Sequence, residues 1–456
     1  MLKSSYSVII PTLNEEYSIG RTIEAAIKSV PGAEIILVDG GSSDQTVNSC
    51  LRYNVKIVRS RRGRGVQLHE GAKAASGDLL CFLHADTFLP ENAVELLDDF
   101  FKDERNRICR FRLGYDIEHP LLHNYSRLSR FDFPFTRFGD MGITVRKDFY
   151  FSIGGFRAWN FMEDVDFLRK ASSKTKVSVL PAYVKSSARA YLRYGFVRKQ
   201  MKNVLMMTKY FLGFRRYIEQ NEYYSKKVKT SRASMIVFVR YPSEGKVKTR
   251  LAAALGNHDA KEIYKRIAER IFSEVGKARK VYRYAFYSDG DDREQIGKWL
   301  GRKFLLANQE GELLGERMLS AFMKVFSHGA EKAIIIGTDI PDLTGGIVEE
   351  AIAKLDQHDV VIGPAKDGGY YLLGMKKIHA SLFERIEYGT SSVLSQTVDR
   401  IDELGLSYCL LRELRDIDTE EDLANWIDKG GDSSIKREVG FVYDPRSRKV
   451  EKARAQ

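Results

Sequence analysis

One short stretch, Leu79–Pro90 (LLCFLHADTFLP), limits what this chain can fold into more than any other. Its apolar run, Leu79–Leu83, has the length of a buried strand and is too short for an ordinary helix. Asp86 follows just past the end of that strand, and open α/β sheets bind ligands at the carboxyl ends of their strands. A carboxylate there suits Mg²⁺ or Mn²⁺, which prefer oxygen ligands and share them with substrate phosphates. Asp86 also fits a helix cap, so this stretch alone leaves both roles open.

The first strand of the chain also runs into a polar turn and a helix. Ser7–Ile10 is a β-branched strand that ends at Pro11, and the turn that follows leads into a helix that Thr12 or Asn14 can cap. A strand, a polar turn and a helix start make a natural place for a nucleotide base or ribose. The nucleotide-binding residues predicted here are Pro11, Thr12, Asn14 and Glu15.

A second strand, Glu34–Val38, ends in the sequence DGGSSD. Asp39 stands at the strand end, where its carboxylate can accept a hydrogen bond from a ribose or a uracil-type imide, and Gly40 allows a sharp turn. Asp44 is the predicted cap of a helix that starts at Gln45. A purely polar turn is the alternative, and this motif taken alone favours it.

The third unit joins a short strand, Lys56–Val58, to a basic and glycine-containing loop that ends at Arg64 and Gly65. Because a helix follows, through Ala75, the loop is a candidate phosphate site; a solvated basic loop is the alternative. Three strand-then-helix units in a row predict a parallel sheet with right-handed crossovers. No G-x-G-x-x-G motif follows the first strand, which lowers the case for an NAD(P) site.

Composition places the chain among ordinary globular proteins of two or three domains. Four cysteines without CxxC spacing argue against zinc ribbons and a disulfide framework and fit a reducing, cytoplasmic compartment. The first apolar run is too short for a signal peptide or a membrane span. The net charge of +12 comes mostly from residues 185–229, which hold twelve Lys or Arg and two Glu. No nucleic-acid motif accompanies this basic patch, so a nucleic-acid partner is not predicted.

Six motifs, in chain order, resemble family 2 glycosyltransferases of the GT-A fold over about residues 5–215: SVIIPTLNEE, ILVDGGSSDQT, GRGVQLHEGAKAASGD, LLCFLHADTFLP, GDMGITVR and GGFRAWNFMEDVDF. They are most similar to the subgroup found with radical-SAM and arsenosugar gene clusters. The resemblance implies that Asp39 binds the nucleotide base and that Asp86 is the surviving metal ligand of the DxD motif. It also implies that Glu163 and Asp164 form the acidic pair of the acceptor site. Met141 stands where that subgroup usually has Gln.

The chemistry of inverting transfer fits these residues. It needs a general base for the acceptor hydroxyl and a cation on the departing diphosphate. Glu163 and Asp164 follow a glycine-rich loop and precede a helix; adjacent carboxylates can raise one pKa, which suits a base. An acidic pair at a helix start is the alternative, favoured by the helix dipole. With Asp86 and the phosphate loop in place, the catalytic interpretation is favoured, with Asp164 as the base.

Residues 190–224 are predicted to form one basic helix in which aromatic residues alternate with Arg and Lys. Three roles stay open for it: covering the acceptor site, lying on an anionic membrane, or packing on its own domain with a solvated basic back. Packing on its own domain is favoured over membrane contact. Residues 226–234 are predicted to be the linker.

The second half of the chain repeats the plan of the first. Met235–Val239 is a strand, and the loop after it carries Lys246, Lys248 and Arg250, which can hold a triphosphate; a solvated turn is less favoured. The strand Lys332–Ile336 is followed by Asp339.

A further strand in this half, Val360–Ile362, is followed by Asp367, Gly368 and Gly369. The prediction is that Asp339 and Asp367 share a cation and that the two glycines bind nucleotide.

A second set of motifs, over about residues 233–430, resembles DUF2064, a family with glycosyltransferase-like character: GKVKTRLAAALG, LGERM, GTDIPDL, VVIGPAKDGGYYLLGM and DIDTEEDL. It is also similar to small nucleotidyltransferases. The resemblance implies a second GT-A fold whose reaction is either sugar transfer or nucleotidyl transfer. Residues 436–456 are predicted to be a loose basic tail.

We therefore expect two tandem GT-A, Rossmann-like α/β domains, residues 1–225 and 235–435, each a mainly parallel sheet flanked by helices. The first transfers a sugar from a UDP- or GDP-sugar to a small-molecule or lipid acceptor, with Mg²⁺ or Mn²⁺. The second makes the donor from an NTP or transfers another sugar. A non-catalytic nucleotide-binding scaffold at the membrane is the alternative. A cytoplasmic location, with the inner face of the membrane as a further option, and a homodimer complete the expectations.

Overall fold

The computed structural model describes residues 5–133, 136, 139–159, 161–213, 233–428, 441–444 and 449–452. The chain divides into two units, Met1–Lys229 and Thr230–Gln456. The first unit holds an eight-stranded sheet and the second a seven-stranded sheet, both flanked by helices. The predicted α/β class and the pair of mainly parallel sheets are confirmed.

The first unit builds its sheet from strands β1–β8, which are Tyr6–Thr12, Glu34–Asp39, Lys56–Arg59, Leu79–Phe82, Thr87–Phe88, Ile108–Tyr115, Ile143–Arg146 and Ser178–Ser186. Its helices α1–α9 are Ile19–Ser29, Thr46–Cys50, Arg64–Ala74, Ala93–Phe101, Pro120–Leu128, Lys147–Ser152, Glu163–Ser172, Arg189–Tyr194 and Phe196–Phe211. The strand order is β3-β2-β1-β4-β7-β6-β8-β5. Strands β3, β2, β1 and β4 pair in parallel, as the three strand-then-helix units predicted.

Strand β1 runs further than expected. It includes Pro11 and ends at Thr12, where Pro11 pairs with Val38 and Thr12 with Asp39. Proline removes one N–H donor but is compatible with extended backbone, so it does not have to end the strand.

Both faces of the parallel strands are buried, and alternate residues enter two separate cores. Val8 and Ile10 of β1 pack on one side and Ile9 on the other. Strand β4 does the same with Cys81 and Leu80. A strand buried on both faces gives a continuous apolar run instead of an alternating pattern, which is why Leu79–Leu83 was recognisable.

The predicted single helix over residues 190–224 is wrong in one respect. Gly195, with a φ of 82°, separates α8 from α9, and helical backbone does not pass through that conformation. Residues 214–224 lie outside the described residues. Among the residues that the structure describes, no helix is long and apolar enough to cross a membrane.

The second unit builds its main sheet from strands β9–β15, which are Ala233–Val239, Val281–Tyr287, Leu305–Asn308, Lys332–Ile336, Val360–Pro364, Tyr370–Met375 and Tyr408–Leu410. Its helices α10–α16 are Thr249–Leu255, Asn257–Val275, Arg293–Leu300, Leu314–Ser327, Gly345–Lys354, Val393–Glu403 and Glu420–Asp428. The strand order is β11-β10-β9-β12-β14-β13-β15, and the first four of these strands are parallel.

Two predicted boundaries in this half need correction. Strand β9 starts at Ala233, inside the predicted linker, whose residues 226–232 lie outside the described part of the chain. The predicted loose tail contains an antiparallel pair, β16 (Phe441–Asp444) with β17 (Lys449–Lys452). The β-branched and aromatic residues of these strands favour extended backbone, and that signal was missed.

Gly65, the second residue of α3, packs so closely that only glycine fits. A Cβ atom there would lie 2.0 Å from the carbonyl oxygen of Arg157. Gly346, the second residue of α14, has no atom nearer than 3.7 Å to the same position.

We predict that Gly65→Ala lowers the free energy of unfolding by about 1–3 kcal/mol, because backbone atoms must move to accept the methyl group. Gly346→Ala is the matched control and stabilises by up to about 1 kcal/mol, since alanine has the higher helix propensity. Urea denaturation followed by tryptophan fluorescence measures both. Equal effects of the two substitutions would contradict the steric explanation.

Candidate active site

The predicted residues of the first unit meet at one edge of the sheet. Strands β2, β1 and β4 are neighbours and parallel, so Asp39, Thr12 and the segment that leads to Asp86 all lie at carboxyl ends on the same side. This edge is where open α/β sheets hold their ligands.

The two loops after β1 and β2 are tied together by side-chain hydrogen bonds. Asp39 is buried and accepts the N–H groups of Gly41 (3.1 Å) and Ser42 (3.1 Å). Asn14 has a φ of 57°, which Asn tolerates, and its Oδ1 accepts the N–H of Ser43 (2.8 Å). Neither Thr12 nor Asn14 caps α1, because the helix starts only at Ile19; that part of the prediction is wrong.

Gln67 holds the ends of β1 and β2 together, and no sequence pattern predicted this role. Its side-chain amide donates to the carbonyls of Thr12 (2.9 Å) and Val38 (2.8 Å). A Cβ atom on Gly40 would lie 3.0 Å from this amide, so the amide would have to shift; the residue of this turn with a positive φ is Gly41 (90°).

Asp86 is held by a cation from a distant part of the chain. Arg189, the first residue of α8, donates to Asp86 Oδ2 (3.2 Å) and to both carboxylate oxygens of Glu15 (2.5 and 2.8 Å). The guanidinium group therefore joins the predicted metal ligand to the predicted nucleotide loop. Arg189 was missed because its position in the sequence lies in the basic segment, where it resembles any other surface cation.

The ionised form of Asp86 is disfavoured in the folded chain. The pKa of Asp86 is raised from 3.8 to about 7, chiefly by burial; the charge of Arg189 opposes this shift, and the charges of Glu15, Asp116 and Asp140 add to it. Burial, and then the nearby charge of Asp164, likewise raises the pKa of Asp140 to about 6. Asp116 and Asp140 were not predicted: Asp116 directly follows β6, but that strand is not a continuous apolar run, and Asp140 precedes β7.

The acidic pair Glu163 and Asp164 lies in the first turn of α7, and both side chains are buried. Arg64 of α3 donates to Glu163 Oε1, and its guanidinium lies 4.0 Å from Asp164 Oδ2. Burial raises the pKa of Glu163 to about 6, against the opposing charge of Arg64. Among the described residues, Glu163 Oε2 has no hydrogen-bond partner although it is buried.

Arg64 and Gly65 were predicted to bind phosphate as a pair, and the structure separates their roles. Arg64 pairs with the acidic residues of α7, whereas the Gly65 N–H donates to the carbonyl of Trp159 (3.0 Å). The structure thus gives Gly65 a packing role. Met141 is fully buried, and its sulfur accepts a hydrogen bond from Arg110 (3.0 Å), so its side chain contacts the core.

Lys199 of α9 reaches the same acidic cluster from the opposite side of the site. It is buried, and burial, with the charges of Lys202 and Arg64, lowers its pKa to about 7, while Asp140 raises it. The favoured packing of residues 190–213 on their own domain is therefore observed, and the site holds a buried amine that sequence reasoning did not select.

A divalent cation fits the first site on chemical grounds. Six carboxylates interact there with three cationic side chains, an excess of buried negative charge: Glu15, Asp86, Asp116, Asp140, Glu163, Asp164 with Arg64, Arg189 and Lys199. Within the described ranges, no group of three or more His, Cys, Asp or Glu has a metal-binding arrangement. Mg²⁺ sites in nucleotide enzymes commonly use one or two carboxylates plus substrate phosphates, so Asp86 remains a suitable ligand.

The second unit contains a cavity of about 590 Å³ at the carboxyl ends of β9 and β12. The predicted residues Lys246, Lys248, Arg250 and Asp339 all line it. It also includes residues that were not predicted, namely Arg240, Arg317, Asp418 and Tyr370. Its cationic lining suits a phosphate-bearing ligand.

Lys248 is the central charge of this cavity. It is a non-glycine residue with a φ of 48°, and its buried ammonium group lies 2.8 Å from Asp339 Oδ1 and 2.6 Å from Asp418 Oδ1. Burial lowers the pKa of Lys248, but the two carboxylates outweigh burial and the net shift is upward. Strained backbone of this kind is typical of functional sites.

The structure does not bring the other predicted residues of this unit, Asp367, Gly368 and Gly369, into the lining of this cavity. The cation beside Asp339 is the Lys248 ammonium. Gly368 packs against the backbone of Ser391, where a Cβ atom would be 2.0 Å from a carbonyl oxygen. Asp367 lies close enough to Asp416 for its charge to matter. The pKa of Asp416 is raised to about 6, first by burial and then by the charges of Asp367 and Asp418.

Two family profiles match the chain. Residues 7–160 match the family described as glycosyl transferase family 2, and residues 271–390 match DUF2064, described as an uncharacterized protein conserved in bacteria. Each profile lies within one of the two units.

Curated relatives share only part of their length with this chain. A glucosyl-3-phosphoglycerate synthase from Mycolicibacterium smegmatis is 31% identical over 97 residues, which are 19% of this chain and 32% of that protein. A 4,4'-diaponeurosporenoate glycosyltransferase from Staphylococcus aureus is 25% identical over 179 residues, 34% of this chain and 48% of that protein. The chain thus spans less than half the length of these relatives.

Two solved structures each match less than half of this chain. A protein from Desulfovibrio desulfuricans G20, described as a nucleotide-diphospho-sugar transferase, is 34% identical, with a TM-score of 0.43, and covers 46% of this chain and 91% of its own. TarS from S. aureus, in complex with UDP-GlcNAc, is 22% identical, with a TM-score of 0.33, over 40% of this chain and 58% of its own.

We predict that Asp86→Asn changes the pH dependence of stability. Between about pH 4 and about pH 7 the folded carboxyl keeps a proton that the unfolded chain releases, so this group's stabilising contribution is lost as pH rises. The melting temperature of the variant minus that of the wild type should therefore be more positive at about pH 8 than at about pH 5, by a few degrees.

Asp99→Asn, at a carboxylate with 80% of its side chain exposed, is the control for this comparison. Differential scanning calorimetry without metal or nucleotide measures all three proteins. A difference for Asp86→Asn that stays constant with pH, or one matched by Asp99→Asn, would show that the Asp86 carboxyl titrates normally.

Proposed function

Because residues 7–160 form a domain of glycosyl transferase family 2 and residues 271–390 a domain of DUF2064, we propose that the first unit transfers a sugar from a nucleotide diphosphate sugar to an acceptor hydroxyl with inversion. The observation that carries this proposal is the pair of charge clusters at one sheet edge. Asp86 with Glu15 and Arg189 forms one, and Glu163 with Asp164 and Arg64 forms the other.

The donor would lie across the ends of β1, β2 and β4. Asp39 is fixed by Gly41 and Ser42 and presents its remaining acceptor capacity to a base or ribose. Pro11, Thr12 and Asn14 form the adjoining wall, and Asn14 is held by Ser43. A UDP- or GDP-sugar is the proposed donor class.

Asp86 would hold Mg²⁺ or Mn²⁺ together with the donor diphosphate, and the bound cation would supply charge stabilisation to the leaving group. Manganese accompanies two of the solved glycosyltransferases that resemble this fold, GalNAc-T7 and a mannosyltransferase from Pyrobaculum calidifontis with GDP-Man. In the ligand-free chain, Arg189 neutralises Asp86 and Glu15, and it is placed to donate to a diphosphate oxygen when the donor arrives.

Asp164 is the proposed base. Arg64 donates directly to Glu163 Oε1, whereas its guanidinium lies 4.0 Å from Asp164 Oδ2, and Asp164 Oδ1 accepts the N–H of Val165 (2.7 Å). Arg64 then keeps the pair from repelling each other and holds α7 against α3. This assignment supports direct proton transfer from the acceptor hydroxyl to the Asp164 side chain during attack.

The second unit is proposed to bind an NTP through Lys246, Lys248 and Arg250 and to make the nucleotide sugar that the first unit uses. Its cationic cavity supports a triphosphate, and Asp339 is the proposed cation ligand there. Two sequential glycosyltransferases in one chain are the second candidate, since the same cavity also suits a nucleoside diphosphate. The scaffold alternative is less favoured, because carboxylates lie at strand ends in both units, namely Asp39 and Asp86 in the first and Asp339 in the second.

Several expectations stay predictions. They are the domain limits, the homodimer, the NTP substrate, the gene-cluster association and the roles of Gly368, Gly369 and Asp367 as ligands.

We predict that Asp164→Asn retains donor binding and loses turnover. The melting point of wild type and variant should rise equally with UDP or GDP plus Mn²⁺, while metal-dependent cleavage of the matching nucleotide sugar falls by about 10²–10⁴-fold. Asp99→Asn is the exposed control. If no UDP- or GDP-sugar binds the wild type, or if Asp164→Asn cleaves as fast as Asp99→Asn, the proposed reaction is wrong.

We predict that Lys248→Met abolishes binding of NTP with Mg²⁺ by the second unit, because it removes the buried cation that joins Asp339 and Asp418. Isothermal titration of the full chain with ATP, GTP, UTP and CTP measures the loss. Lys298→Met, at a lysine with 75% of its side chain exposed, is the control. NTP binding that survives Lys248→Met would place the triphosphate elsewhere.

A further inference from the structure

Helices α8 and α9 and the two residues after them, residues 189–213, contain no Asp or Glu. They contain six cationic residues: Arg189, Arg193, Arg198, Lys199, Lys202 and Lys209. A helix pair of one charge sign needs either a negatively charged partner or full solvation.

The inner face of α9 is firmly packed. Met206, Met207 and Tyr210 belong to an apolar cluster with Trp159, Phe161, Met162 and Val165. Lys199 lies on the same inner face and reaches the acidic cluster of the first site. The packed residues define the inner face of α9, and the opposite side of the helix is its outer face.

That outer face is apolar, although it faces solvent. Val197 is 61% exposed, Met201 68%, Val204 48%, Leu205 53% and Leu212 68%. The spacing of four, three, one and seven residues places all five in a single stripe along one side of the helix. Surface helices of globular proteins carry polar residues on that side, so this stripe is the reverse of the expected pattern.

A second group of exposed apolar residues lies in and after α5. Leu121, Leu128, Phe131 and Phe133 are each between 44% and 49% exposed. The two regions are joined at the start of both helices, where the ring of His119 stacks on Phe196 with centroids 3.6 Å apart. The five exposed apolar side chains of the α9 stripe by themselves exceed the scattered single apolar residues that ordinary surfaces show.

We propose that this surface, residues 119–133 and 196–212, docks on an anionic lipid bilayer. An apolar helix stripe flanked by Arg and Lys, with no acidic residue in the helix, is the pattern of helices that lie in the membrane interface. Its cations would meet the negative charge of the lipid headgroups. The apolar side chains would enter the boundary of the acyl chains.

A second copy of this chain is a less favoured partner for this surface than a membrane. In a twofold dimer the same patch meets itself, which would set Arg198 and Lys202 of one copy against those of the other. Like charges would then oppose association that the apolar stripe favours. Nucleic acid shares the negative charge of a membrane but offers no apolar layer for the stripe.

Docking places the candidate active site close to the membrane. Lys199, near Asp140 and Arg64, and Met201, on the outer stripe, lie on opposite sides of one helix, whose diameter is about 10–12 Å. If the proposed glycosyl transfer is correct, the acceptor hydroxyl belongs to a lipid or a lipid-linked molecule. Membrane binding itself does not depend on that reaction, so the two proposals fail separately.

The test is co-sedimentation of the full chain with vesicles. The wild-type protein is expected to sediment with vesicles that contain phosphatidylglycerol. With vesicles made only of phosphatidylcholine, it is expected to stay in the supernatant. Binding should weaken in about 1 M NaCl, where the Debye length falls to about 3 Å. Met201→Asp with Leu205→Asp should lower the bound fraction by about tenfold or more, because it removes the apolar contact and adds repulsion.

Leu51→Asp is the matched control, since Leu51 is also 68% exposed, lies in the same unit and is outside the stripe. Far-UV circular dichroism shows whether each variant is folded, and Arg198→Glu with Lys202→Glu tests the charges alone. The proposal is overturned if the wild-type protein does not bind anionic vesicles. It is also overturned if Leu51→Asp reduces binding as much as Met201→Asp with Leu205→Asp does. A wild-type dimer that Met201→Asp with Leu205→Asp converts to monomer, without vesicle binding, would overturn it in favour of a second copy.

Discussion

The structure of the first unit depends on negative charge that is buried where parallel strands end. Glu15 and Asp86 at one cluster, and Glu163 and Asp164 at the other, lie at the same sheet edge. Carboxylates taken out of water need a counter-charge. Arg189 and Arg64 provide it, and each reaches the cluster from a different helix. These ion pairs join α3 to α7, and they join α8 to the loops after β1 and β4.

The second unit also pairs two carboxylates with one cation. Lys248 lies between Asp339 and Asp418 as Arg189 lies between Asp86 and Glu15. In both units a single cation holds together two carboxylates from separate loops, and one of the two follows a central strand of the sheet. A ligand with phosphate groups and a bound cation would replace these ion pairs with interactions of the same kind. On the proposed functions, both sites would take anionic ligands that arrive with a metal.

Helix α9 links the first site to the protein surface. Its inner face supplies Lys199 to the acidic cluster and Met206, Met207 and Tyr210 to the apolar cluster. Its outer face carries an apolar stripe. One element therefore connects the proposed chemistry with the proposed location. Gly195 separates it from α8, whose first residue, Arg189, donates to Asp86.

The sequence by itself determined the fold class, the three strand-then-helix units that lead to β4, and the candidate site residues at or just after strand ends, such as Asp39, Asp86 and Asp339. Strand patterns and strand ends are local, so the residues beside them can be found without knowing what packs against them. Only the tertiary structure showed which residues contact these site residues. Arg189, Gln67, Asp140 and Asp418 are distant in sequence from the residues they act on, and long-range contacts leave no periodic signal. It also decided which side of α9 is covered, because apolar residues occur on both sides of that helix and only packing separates the buried Met206 from the exposed Met201.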